Sequence, residues 1–157
     1  MTTENVASLL EGHPFTEGLW PAHIARLAAM AGSVHFTRDE LIFHQGDHSS
    51  LFYLLIDGNV ALEAITPGRA VRVSTLYRGD VLGWSSIVDT DGKQFQARAL
   101  EAVHALAFDG ARLRHACEED YAFGYALMRA VVRVMANRLH DTSVLVQEVY
   151  SPVGGEI

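Results

Sequence analysis

The residues with the most chemical potential fall in one stretch. Gly79-Asp80 and Gly83 interrupt an extended run, and Gly83, Trp84, Ser85 and Ser86 follow in line. A glycine-rich loop running into a helix presents main-chain N–H groups with no intrahelical partner, which suits an anion such as phosphate. The hydroxyls of Ser85 and Ser86 add two more donors. A plain turn with a helix cap uses the same residue types, and the motif alone does not choose between them. Trp84 offers a flat face that can stack on a ring, worth ~1–3 kcal/mol. It can equally plug the space a ligand would occupy.

Other chemistry finds less support. His44 and His48 bracket Gln45-Gly46-Asp47, but histidines four apart across a turn, with no glutamate soon after, do not make the ligand set of a cupin-like metalloenzyme. No metal ligand is assigned. The run Gly83-Trp84-Ser85-Ser86-Ile87 lacks the second glycine of a nucleophile elbow. Cys117 has no second cysteine for a disulfide or a cluster. Glu118-Glu119-Asp120 reads as a solvated helix start, favoured by the helix dipole. No catalytic residue is assigned, and an enzyme is not expected.

The chain that must position these residues has 157 of them, 49% hydrophobic and 20% charged, with 19 acidic against 12 basic and a net charge of −7. That is one domain with a proper core. Such an acidic chain is a poor candidate for a dedicated nucleic-acid binder, since phosphate contacts need a concentrated basic face. No apolar run approaches the ~20 residues of a membrane span, and Met1 to Leu10 has no signal-peptide pattern. A soluble, cytoplasmic protein is expected.

The first 14 residues read as a loose arm. Pro21 opens a short helix through Ile24, Leu27, Ala28 and Ala31, with Gly32 in capping position. From Val34 to Phe108, short apolar runs alternate with glycine turns. Asp57-Gly58 predicts a hairpin, and Pro67-Gly68 and Gly79-Asp80 mark further turns. Many short strands at this spacing predict an antiparallel barrel or jelly roll. Asp109 then caps a short helix to about Cys117, and a long helix follows over about 120–150. Residues 151–157 read as a tail.

Four pieces in this order carry a resemblance: Gln45-Gly46-Asp47, the run from Leu51 to Val60, Gly79-Asp80-Val81-Leu82-Gly83, and Ala97-Arg98-Ala99-Leu100. Over Phe15 to Tyr150 the chain resembles the cyclic-nucleotide-binding sensor domain of the Crp/Fnr superfamily. The resemblance implies an α+β, mainly β, jelly-roll fold with an N-terminal helix, a short helix and a long C-terminal helix. It also implies a ligand cassette spanning Gly79 to Arg98. Two departures stand out. Trp84 replaces the glutamate that reads the ribose in this family. Lys93-Gln94 falls where an arginine and a small residue meet the cyclic phosphate, and a lysine is a point charge where a bidentate fork is usual. Lys93 is the only lysine in the chain. Arg98 could substitute, but its direction depends on strand register. A standard cyclic AMP site is therefore doubtful. The implied ligand is a cyclic nucleotide or a related anion, held by Gly83, Trp84, Ser85, Ser86, Lys93 and Gln94 with Arg98 in reserve.

The last helix is the most periodic segment. Tyr121, Tyr125, Met128, Val132, Met135, Leu139, Thr142, Val146 and Val149 recur at alternating spacings of four and three, a heptad seam. Phe123, Leu127, Val131 and Val134 form a second stripe toward the barrel. The seam predicts a homodimer through Met128, Val132, Met135, Leu139 and Val146. Crp/Fnr transcription factors continue into a winged helix-turn-helix; none follows here, so DNA binding by that route is not expected. The resulting expectation is a non-enzymatic sensor that binds a small molecule and signals to a protein partner. The alternatives are a ligand-free interaction module plugged by Trp84 and, behind it, a cupin-like metalloenzyme.

Overall fold

A computed structural model describes residues 3–48, 50–88 and 95–150, and over 142–150 the helical path alone. Lys93, Gln94, the tail and the side chain of Val146 lie outside the described residues. The first element departs from expectation. Residues read as a loose arm form α1 (Thr3–Glu11), because Val6 and Leu10, one turn apart, both bury against the core. Nine residues are too few for that period to stand out in the sequence. A 3₁₀ turn (Pro14–Thr16) follows, held by His13: its Nδ1 accepts from Phe15 N–H at 3.1 Å and its Nε2 donates to the Leu55 carbonyl at 3.0 Å.

Pro21 does open α2 (Pro21–Met30). Gly32 is not its cap, since Ala31 fills that position and Gly32 already begins β1 (Gly32–Phe36). The strands that follow are β2 (Leu41–Phe43), β3 (Leu51–Asp57), β4 (Val60–Thr66), β5 (Arg69–Leu76), β6 (Val81–Leu82), β7 (Gln96–Ala99) and β8 (Val103–Asp109). They form two four-stranded antiparallel sheets in the orders β1-β8-β3-β6 and β2-β7-β4-β5. The architecture is the expected mainly β roll with helices at both ends.

Pro67-Gly68 makes the β4–β5 hairpin, with Thr66 opposite Arg69 and Gly68 at φ +86°. Asp57-Gly58 turns as foreseen, with Gly58 at φ +88°, but it does not close a hairpin. The strand before it belongs to one sheet and the strand after it to the other. Gly58 presses so closely on the Ala102 carbonyl that a Cβ would lie 2.3 Å from it. The turn is a corner between sheets.

Alternation along each strand sorts two cores. Leu55, Val60, Leu82, Ala97, Ala99 and Ala105 meet between the sheets. On the outer face of the first sheet, Phe52, Leu54, Leu106 and Phe108 pack against the helices. Asp109 caps α4 (Gly110–Glu119) by accepting from the N–H groups of Ala111 and Arg112. Glu118 and Glu119 end α4 and do not start the next helix. Asp120 alone caps α5 (Tyr121–Tyr150), through Phe123 N–H at 3.2 Å. The stripe Phe123, Leu127 and Val131 is buried against the first sheet as expected, with Val134 partly buried beside it.

Candidate functional site

The cassette hangs from β3. Leu55 N–H donates to Asp80 O at 2.9 Å, and Gly79 N–H to Leu55 O at 3.1 Å. Strand β6 then pairs Val81 with Leu54 and Leu82 with Tyr53. Asp80 closes its own turn, its carboxylate accepting from Tyr77 N–H at 2.7 Å. Gly79 and Gly83 sit at φ +91° and +77°, the left-handed region that favours glycine, and α3 (Ser85–Val88) begins directly after. The strand–glycine–helix sequence read from the residues is therefore built as expected.

The individual side chains divide. Ser86 is fully buried and gives both its N–H (3.1 Å) and its hydroxyl (2.8 Å) to the Gly83 carbonyl. It belongs to the frame, so it is not available to an anion. Trp84 is half-buried and packs against the helix-side core, away from the space between the sheets. That contact accounts for a tryptophan here without a ring to stack on. Arg98 lies between Ala97 and Ala99, which both point into the roll, so its own side chain faces outward. There its Nε donates to Glu63 at 3.1 Å and its guanidinium to the Asp39 carbonyl at 2.9 Å. Gln96 donates to the same Glu63 carboxylate at 2.7 Å. The structure does not bring Arg98 to the inside of the roll. His44 and Asp47 close a surface turn, with His44 N–H donating to the carboxylate at 2.8 Å.

Sequence reasoning missed the groups that tie the cassette to the rest of the molecule. Arg114 of α4 donates to the Ser86 carbonyl in α3. Arg138 of α5 donates to the Val81 carbonyl in β6. Burial pulls the Arg138 guanidinium below its usual pKa, and the Asp80 carboxylate pushes it back up. Main-chain carbonyls carry no sequence signature, so nothing in the residue order could have paired them. Tyr53, inside the roll beside Leu82, brings a phenol whose pKa burial raises. It is a protonated donor next to the cassette.

The architecture is thus a two-sheet roll with a glycine-framed cassette, followed by a long helix. The sequence profile of the cyclic nucleotide-binding domain matches residues 33–120, more than half of the chain, and the chain belongs to that family. It is 27% identical over 110 residues to a cAMP-dependent protein kinase regulatory subunit from Mycosarcoma maydis, covering 70% of this chain and 20% of that protein. The chain thus spans about a fifth of the length of that curated relative. A putative cyclic nucleotide-binding protein from Geobacter metallireducens superposes with a TM-score of 0.75 at 25% identity, over 89% of this chain and 99% of the other. The N-terminal domain of a transcriptional regulator from Streptomyces coelicolor gives 0.69 at 27%, over 85% and 94%. A cyclic nucleotide-binding domain from Methylobacillus flagellatus shares the fold at 0.80 and 12%, over 96% and 85%. Among the described residues, no helix is long and apolar enough to cross a membrane.

Proposed function

We propose that this domain acts by binding and not by turnover: its cassette takes a small anionic ligand in a non-standard way, and α5 passes the event to a protein partner. One observation carries the reading. The Arg138 side chain, on the terminal helix, is hydrogen-bonded to the main chain of β6, two residues before Gly83. A shift of the cassette then pulls on α5 directly, and two packings of α5 supply the two states a switch requires. The Arg114 bond from α4 to α3 adds a second strut.

The dimer reading has its own support. Along the heptad seam Val132, Met135 and Leu139 are exposed, Val132 by 62% and Leu139 by 69%, while Met128 packs partly against the helix-side core. A row of large apolar side chains left in water on a helix suits a second copy of the same helix. Trp84, packed against the helix-side core and away from the space between the sheets, lends the plugged, ligand-free reading no support. Hydrogen exchange of α5, measured with and without cyclic AMP, cyclic GMP and cyclic dinucleotides, tests the proposal. A ligand that changes protection in both β6 and α5 supports it; binding that leaves α5 unchanged removes the signalling half.

A further inference from the structure

Away from the cassette, the Glu17–Trp20 turn, α2 and the first half of α5 enclose a cleft of about 300 Å³. Its floor on α5 is Ala122, Ala126 and Ala130, one row at intervals of four, and three small side chains leave the gap that larger ones would fill. Aromatic groups wall it. Trp20 is 65% exposed and stacks on His23, with ring centroids 5.1 Å apart and planes 14° from parallel; Tyr125 is 70% exposed. The nearby charge is unbalanced toward positive. Arg129 and Arg133 both line the cleft against the single carboxylate of Glu17, and neither arginine is in an ion pair among the described residues. The Arg133 guanidinium is held in place by the carbonyls of Phe15 (3.4 Å) and Glu17 (3.2 Å), which fix it without neutralising it. Finally, His23 is more than nine-tenths buried at the cleft wall, edge-on to Phe123, and its Nδ1 has no hydrogen-bond partner among the described residues. Buried polar atoms are normally paired, and one left unpaired beside a cavity marks a place where a bound molecule gains.

We propose that this cleft is a second binding site, separate from the cassette, for a small flat aromatic molecule carrying one anionic group. The ring lies among Trp20, His23 and Tyr125 over the alanine floor, and the anion meets Arg129 and Arg133. Aromatic faces with arginine are the combination that binds such a molecule through stacking and charge together. The volume admits a ring system of one or two fused rings, near the lower end for small-molecule sites.

The test uses 8-anilinonaphthalene-1-sulfonate, a fluorescent aromatic sulfonate, titrated into the whole chain with excitation of tryptophan. The expected result is one probe per chain with energy transfer that falls in Trp20→Phe, Trp84 supplying the remainder, and no displacement by cyclic AMP. Arg129→Glu, at an exposed position that leaves folding intact by circular dichroism, weakens binding at least tenfold. Ala126→Leu fills the floor and does the same. Probe binding that is unchanged in both variants, or no binding to the wild-type chain, overturns the proposal.

Discussion

Replacing Arg138 by methionine separates α5 from the cassette while keeping most of the side-chain bulk. The alkyl stem of arginine packs as methionine does, so the change falls on the guanidinium. Its bond to the Val81 carbonyl is charge-assisted and partly buried, the kind worth about 1.5–3 kcal/mol net. Against that loss stands the cost of burying the charge, seen in the lowered pKa of Arg138, and its removal offsets part of the effect. The balance is a destabilisation of about 1–2 kcal/mol, or roughly 2–8 °C in a domain of this size. Thermal denaturation followed by circular dichroism measures it. Hydrogen exchange gives the more specific readout, since amides of β6 and of α5 near position 138 should both exchange faster in the variant. An unchanged melting temperature, or faster exchange in α5 with β6 unaffected, refutes the strut.

Four other outcomes follow. His13 is held neutral in the fold, because burial lowers its pKa and its Nδ1 already accepts from Phe15 N–H. The unfolded chain therefore binds more protons below the ordinary value of about 6.5, so stability is complete above that pH and falls as pH drops through it. His13→Asn should flatten this acid limb in a melting series from pH 8 to 5; His104, lowered by burial and by His35, leaves a remainder. Gly58→Ala should cost about 3 kcal/mol or more, from positive φ and the Ala102 carbonyl together. Gly46→Ala, at φ +89° but in open space, should cost only about 1–2 kcal/mol by the same denaturation assay. Leu139→Arg should yield a folded monomer by light scattering, because a charge buried in the seam without a partner costs several kcal/mol. A wild-type chain that is monomeric at micromolar concentration contradicts the dimer.

The parts of the fold legible in the sequence are those set by local constraint. Gly58, Gly68, Gly79 and Gly83 all adopt positive φ, and the turns fall where glycine permits that conformation. What such a turn cannot reveal is which strand receives the chain afterwards, and so the Gly58 corner reads as a hairpin. The direction of Arg98 was open for a related reason. Only the pairing of Ala97 with Leu62 and Ala99 with Val60 decides which face looks inward. α1 escaped notice because its stability comes from burying Val6 and Leu10 against partners remote in sequence. The glycine frame of the candidate site was legible. The role of Ser86 was not, because its burial depends on Gly110, where a Cβ would lie 2.5 Å from the Ser86 carbonyl. Arg114 and Arg138 reach main-chain acceptors across 28 and 57 residues, beyond any motif.

The most direct test is a calorimetric titration of the wild-type chain with cyclic AMP, cyclic GMP and cyclic dinucleotides, repeated with Trp84→Ala and Lys93→Arg. One anionic ligand from this panel is expected to bind per chain, with cyclic AMP weak. Restoring an arginine by Lys93→Arg should strengthen cyclic AMP by roughly ten- to a hundredfold, the equivalent of one charge-assisted hydrogen bond. Trp84→Ala should lower thermal stability more than it changes affinity, since the indole packs in the helix-side core. Tight cyclic AMP binding by the wild-type chain contradicts the reading of Trp84 and Lys93. A panel that gives no heat with the wild-type chain contradicts the ligand-binding cassette itself.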